Sequence, residues 1–180
     1  ILLCELAAYL HNKDMEINVW DRIIAFEGRM HEFIKAAYDY QDNTFYSHPG
    51  YYIDYFEMRL AQLQVLHNLH YEIKKIRKMP KQALVIADYI MYMADYVVEM
   101  NIPDQQIEKL EEISEQMKQE ELPKTREEFE GRALLYHILM DLEEFLVYKK
   151  RFVNGLDEKK LRIYWKQEME QKDSANELQK

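Results

Sequence analysis

The chain has 180 residues, 48% hydrophobic and 32% charged, a size and balance that fit one ordinary globular domain. Four Gly and four Pro are too few for the many tight turns of a sandwich or barrel, so helices are the expected scaffold. A net charge of -9 argues against nucleic acid as a partner, and the single Cys4 excludes an internal disulfide and fits a reducing compartment.

The first predicted helix covers residues 2–11 and ends in the polar run His11, Asn12, Lys13, Asp14. The sequence begins at Ile1 and its opening residues have no basic region or cleavage site of a signal peptide, so a fragment of a longer protein is expected. Over residues 15–40, Val19, Ile23, Phe26, Met30, Phe33, Ala37 and Tyr40 recur at steps of four and three, which predicts one buried helix face. A neighbouring row of Ile17, Trp20, Ile24, Glu27, His31, Ile34 and Tyr38 widens that face and carries two polar members. Residues 41–50 hold Asp42, Asn43, Ser47, Pro49 and Gly50 and read as a loop.

A third helix is predicted over 51–79, with Tyr52, Phe56, Arg59, Leu63, Leu66, His70 and Ile73 inward. Pro80 bends the chain, because it lacks the amide hydrogen that an established helix needs. The basic run Lys74, Lys75, Arg77, Lys78 and Lys81 is read as cations suited to a helix C-terminus. The fourth helix, 81–100, is apolar on most sides and belongs at a bundle centre or an interface. Asp88, Asp95 and Glu99 exclude it from a lipid bilayer, and no run of 18 apolar residues occurs elsewhere.

Residues 102–121 are acidic, with a narrow stripe of Ile107, Leu110, Ile113 and Met117. Thr125 is a good N-cap and Glu128 completes a capping box for a sixth helix reaching Asn154, where Gly155 is expected as a left-handed C-cap. A last helix is expected to run to Trp165. The prediction is thus an all-α bundle of six to seven mostly antiparallel helices over residues 1–165, with a polar, frayed tail at 166–180.

Chemistry-bearing patterns are sparse. A di-metal site in a helical bundle needs Glu-x-x-His motifs, and none occurs. Glu27 with His31, and His67 with His70, are the nearest approximations and read as core residues. His137 sits at helical spacing from Glu130, Asp141 and Glu144, which reads as a polar stripe of local ion pairs. No nucleophile elbow, Gly-rich phosphate loop or zinc-type Cys spacing appears, so no catalytic residue, metal or cofactor is assigned and a non-enzyme is expected.

Phe-Glu-x-Arg occurs three times, from Phe26, Phe56 and Phe129. It is read as a structural device in which Glu27 meets Arg59 or Arg132 from a neighbouring helix, with His31 in the same polar network. Tyr38, Tyr40, Phe45, Tyr46, Tyr51, Tyr52, Tyr55 and Phe56 cluster around His48. Packing of a helical hairpin explains them most simply. As a ligand site, Tyr51, Tyr52, Tyr55 and Arg59 would hold a planar aromatic carboxylate by stacking and a bidentate ion pair.

The stretch LPKTREEFEGRALLYHILMDLEEFL at 122–146, together with YYIDYFEMRLAQL at 51–63, resembles the C-terminal domain of the putative aromatic acid exporters. The likeness extends over residues 2–165. It implies a domain that follows a membrane-spanning N-terminal portion and lies on the cytoplasmic side of the membrane. It supplies no catalytic or binding residues. The resulting expectation is an interaction or regulatory module whose partners are that membrane portion, further copies of itself, or a small aromatic acid. A ligand sensor and a carboxylate/His metal enzyme stand as the alternatives.

Overall fold

A computed structural model describes residues 1–12, 19–43 and 49–165, with the side chains of 41–43 and 49 left aside. The expected loop core, with Phe45, Tyr46 and His48, and the polar tail at 166–180 lie outside the described residues. Seven helices occur among them: α1 (Leu2–His11), α2 (Val19–Asn43), α3 (Pro49–Lys75), α4 (Ala83–Ala94), α5 (Asp104–Lys118), α6 (Arg126–Asn154) and α7 (Glu158–Tyr164). The all-α bundle expected from periodicity is the observed architecture.

Side-chain contacts fix the directions. Trp20 meets Tyr71, Glu27 meets Gln64 and Phe33 stacks on Phe56, so α2 and α3 run antiparallel. Along the next pair, Tyr51 packs on Phe152, Gln62 bonds to the Phe145 carbonyl, and Gly131 touches Pro80 just past α3. This makes α3 and α6 antiparallel too, with α3 sandwiched between α2 and α6. The same argument orients α4 against α5 through Tyr89 with Gln106 and Gln82 with Glu120.

Two cores result. The larger is aliphatic and draws Leu6, Leu10, Ile23, Leu69, Ile73, Ile86, Ile90, Leu135, Ile138 and Leu142 from five helices. Burial of such side chains at roughly 1.5–3 kcal/mol each is what holds the bundle. The smaller is aromatic, built on Tyr51, Met58 and Phe152 with Tyr55, Tyr148 and Tyr164 around them.

Several local expectations are corrected. Helix α3 stops at Lys75, not residue 79, because the Ile76 amide bonds back to Ile73 (3.2 Å) and turns Ile76 fully inward ahead of Pro80. Helix α4 covers 83–94 rather than 81–100: beyond Ala94 the amides of Asp95, Tyr96 and Val97 bond three residues back, giving tight turns. In α5 the buried stripe contains Gln106, while Ile107 is only half-buried.

Thr125 caps α6 as expected, its Oγ1 accepting from the Glu128 amide at 3.1 Å. Glu128 reaches one residue further back than a capping box requires, to the Lys124 amide at 2.9 Å. Gly155 is right-handed (φ -80°, ψ -8°), not left-handed. The Gly155 amide still meets the carbonyls of Arg151 and Phe152.

Candidate functional site

The start of α3, the end of α6 and α7 form an aromatic corner. Tyr51 is 1% exposed and lies face to face with Tyr164, ring centroids 3.9 Å apart and 8° from parallel. Its hydroxyl donates to Glu99 Oε1 (2.8 Å) and accepts from Trp165 Nε1 (3.0 Å). Burial, with Glu99 adding, pushes the Tyr51 phenol well above its ordinary range, so it stays a donor. Beneath the rings lies Lys149, 4% exposed, its amine donating to the Glu99 carbonyl. The same amine sits 5.8, 5.3 and 5.5 Å from the ring centres of Tyr55, Phe152 and Trp165.

Next to this corner, a cleft of 790 Å³ opens between α1, α2 and α3, with Ala94, Val97 and Phe145 lining it from α4, its following turn and α6. The size suits a small organic ligand. Arg22 and Arg29 from α2 and Arg59 from α3 line it, among Leu3, Phe26, Leu63 and Leu66. Arg59 is half-buried, donating from Nε to the Tyr55 hydroxyl (3.0 Å) and from Nη1 to Gln62 Oε1 (2.9 Å). Gln62 is itself fixed, its amide donating to the Phe145 carbonyl at 2.8 Å.

Of the four residues expected to hold a ligand, the structure brings Tyr55 and Arg59 to the cleft. Tyr51 is sealed inside the aromatic stack, and Tyr52, 42% exposed, packs edge-on to Tyr51 and Tyr164. The expected polar network is not assembled. Glu27 accepts from Gln64 (3.0 Å), Arg132 pairs with Glu128 (2.6 Å) on its own helix, and His31 is exposed.

The cause is placement along α3: Glu27 on α2 faces Gln64 in the middle of α3, whereas Arg132 follows Gly131, which packs on Pro80 beyond the end of α3. The three Phe-Glu-x-Arg segments therefore do three different things. Arg29 lies over its own Phe26 ring (5.4 Å), Arg59 joins Tyr55 and Gln62, and Phe129 is 62% exposed beside a part-buried Arg132.

His67 packs, with its ring tilted, against Trp20 (4.5 Å) and Tyr71 (5.0 Å), and burial lowers the pKa of neighbouring His70. Among the described residues no group of three His, Cys, Asp or Glu is placed to hold a metal. His137 is exposed. Its neighbour Asp141 has one carboxylate oxygen buried without a hydrogen-bond partner among the described residues, and its carboxyl is pushed up to about 6, first by burial and then by Glu72 and Glu144.

Sequence reasoning missed Lys149, Glu99 and Gln62. The spacing Phe145, Lys149, Phe152 on α6 was the available signal, since a lysine at steps of four and three from two aromatics shares their face.

Comparison with known proteins agrees with this architecture. A crystal structure of a putative membrane protein from Clostridium difficile 630 superposes with a TM-score of 0.74 at 26% identity, covering 84% of this chain and 90% of that one. The uncharacterized protein YqjA of Bacillus subtilis (strain 168) is 29% identical over 116 residues, 64% of this chain. The chain spans 36% of that relative's length. None of the described helices is long and apolar enough to cross a membrane. The family described as putative aromatic acid exporter C-terminal domain matches residues 1–150. Over five-sixths of its length, therefore, this chain is that domain's helical bundle, and it belongs to the putative aromatic acid exporter C-terminal domain family.

Proposed function

We propose that the chain is a non-catalytic accessory domain of a membrane exporter-like protein, held on the cytoplasmic side, where it contacts and regulates the membrane-spanning portion. The family match over residues 1–150 carries this reading. The surface of α4 supports it: Leu84 and Met91, seven residues apart on the helix, are 46% and 45% exposed, apolar groups suited to a protein contact. Self-association through copies of the chain belongs to the same reading.

The test uses the full-length protein in cells loaded with a labelled aromatic carboxylate. Deleting the 180-residue domain is expected to change the rate of efflux at least severalfold while membrane insertion persists. Thiol labelling of Cys4 in inverted vesicles, and its protection in right-side-out vesicles, checks the side. Unchanged efflux on deletion, or turnover of any substrate by the isolated chain, overturns the proposal.

A further inference from the structure

In a chain of net charge -9, three guanidinium groups around one apolar cleft run against the overall balance. Their states differ. Arg22 is neutralised by Glu5, and Arg29, two turns further along the same face of α2, lies over Phe26. Arg59 is the deeper group, and its two partners, the Tyr55 hydroxyl and the Gln62 amide oxygen, are neutral acceptors. A guanidinium has five N–H donors, and among the described residues no carboxylate lies within ion-pair distance of this one.

A half-buried cation with no counter-charge is costly unless something else supplies one, and its fixed orientation suits a planar, two-oxygen acceptor. Beside it the walls are apolar: Leu3, Phe26, Leu63, Leu66, Val97 and Phe145. We propose that this cleft binds a small organic carboxylate with an apolar body. The carboxylate pairs with Arg59, the body lies against the leucines and phenylalanines, and Arg29 adds attraction at the α2 side. A doubly charged phosphate fits less well, since Arg22 is already compensated and most of the lining has no polar group to offer.

The proposal deepens the accessory-domain reading by naming what such a domain responds to. Binding to the isolated chain and efflux by the full-length protein are separate measurements, so either can fail alone. The 180-residue chain is titrated by calorimetry with 3-phenylpropionate, octanoate, 3-phenylpropanamide and inorganic phosphate. One or both carboxylates are expected to bind at one site, and whichever is tighter tells whether a ring or a chain fills the cleft.

The neutral amide and phosphate are expected to bind at least about tenfold more weakly, and Arg59→Gln to lose about tenfold in affinity, the usual scale of a charge-assisted pair. Arg29→Gln, at an exposed position that leaves folding intact, is expected to weaken binding about twofold to threefold through longer-range attraction. No heat from either carboxylate up to about 10 mM overturns the proposal. So does an amide or phosphate that binds as tightly, or full affinity in both arginine variants.

Discussion

Two glycines in the same local sequence, Phe-Glu-Gly-Arg, have opposite structural reasons to exist. A Cβ built on Gly28 meets nothing within 4 Å, whereas one on Gly131 comes within 2.9 Å of the Pro80 ring and 3.4 Å of the Lys78 carbonyl. Gly28→Ala is expected to stabilise the protein by about 0.5–1 kcal/mol, since only helix entropy changes. Gly131→Ala is expected to cost about 1–3 kcal/mol, because a proline ring and a backbone carbonyl have little room to give. Denaturant titrations giving the same sign for both variants would contradict this account.

Asp141 gives a pH dependence of definite sign. Its carboxyl is raised from 3.8 to about 6 by burial and by Glu72 and Glu144, with His137 opposing. The folded state therefore binds the proton more tightly than the unfolded chain. The resulting stabilisation is fully present below pH 3.8 and is lost as pH rises through about 6. Asp141→Asn is expected to raise stability at pH 7 by about 1 kcal/mol, a figure reduced for solvent screening of a partly exposed group, and Tm by about 2–4 °C. The gain should vanish near pH 4, and thermal melts across that range that show a constant difference would refute the assignment.

Among the helices, α2 shows what periodicity conveys and what it omits. The row of seven apolar residues was legible, and the helix forms. Of that row the structure buries Val19, Ile23 and Met30, while Phe26, Phe33 and Tyr40 are 37%, 47% and 57% exposed. A repeat of four and three marks a face, but whether a neighbour covers that face depends on where the other rods stop. Past Met30 none of the α2 residues 31–40 is buried, and contacts to α3 there include Phe33 on Phe56 and Tyr38 with Glu57. Amides of residues 31–40 are thus expected to exchange with solvent well before those of the α3 residues they face. Equal protection along both helices, measured by hydrogen exchange, would show that α2 is held as firmly as the core. The N-terminus of α6 was legible in finer detail because a cap is local: Thr125 and Glu128 need only each other's neighbourhood.

For the molecule as a whole, fold class and helix number were readable from composition, punctuation and spacing, since those depend on neighbours along the chain. The cleft was not readable. Arg59 and Tyr55 are one turn apart and could be linked in advance. Arg22, Arg29 and Phe145 join them only because α2 and α6, both antiparallel to α3, pack on either side of it. Glu27 and Arg132 failed to meet for the same reason: complementary charge on two helices means little until their order around the bundle is known.

The separation into two cores also divides the chain's two indoles. Trp20 sits on His67 at the α2–α3 seam beside the aliphatic core, whereas Trp165 is locked onto the Tyr51 hydroxyl above Lys149 at the far end of α3. Each end of the bundle thus carries its own optical reporter. With one indole replaced by phenylalanine, emission from the other follows the loosening of its own end alone, so a change at the aromatic end can be seen apart from collapse of the aliphatic one.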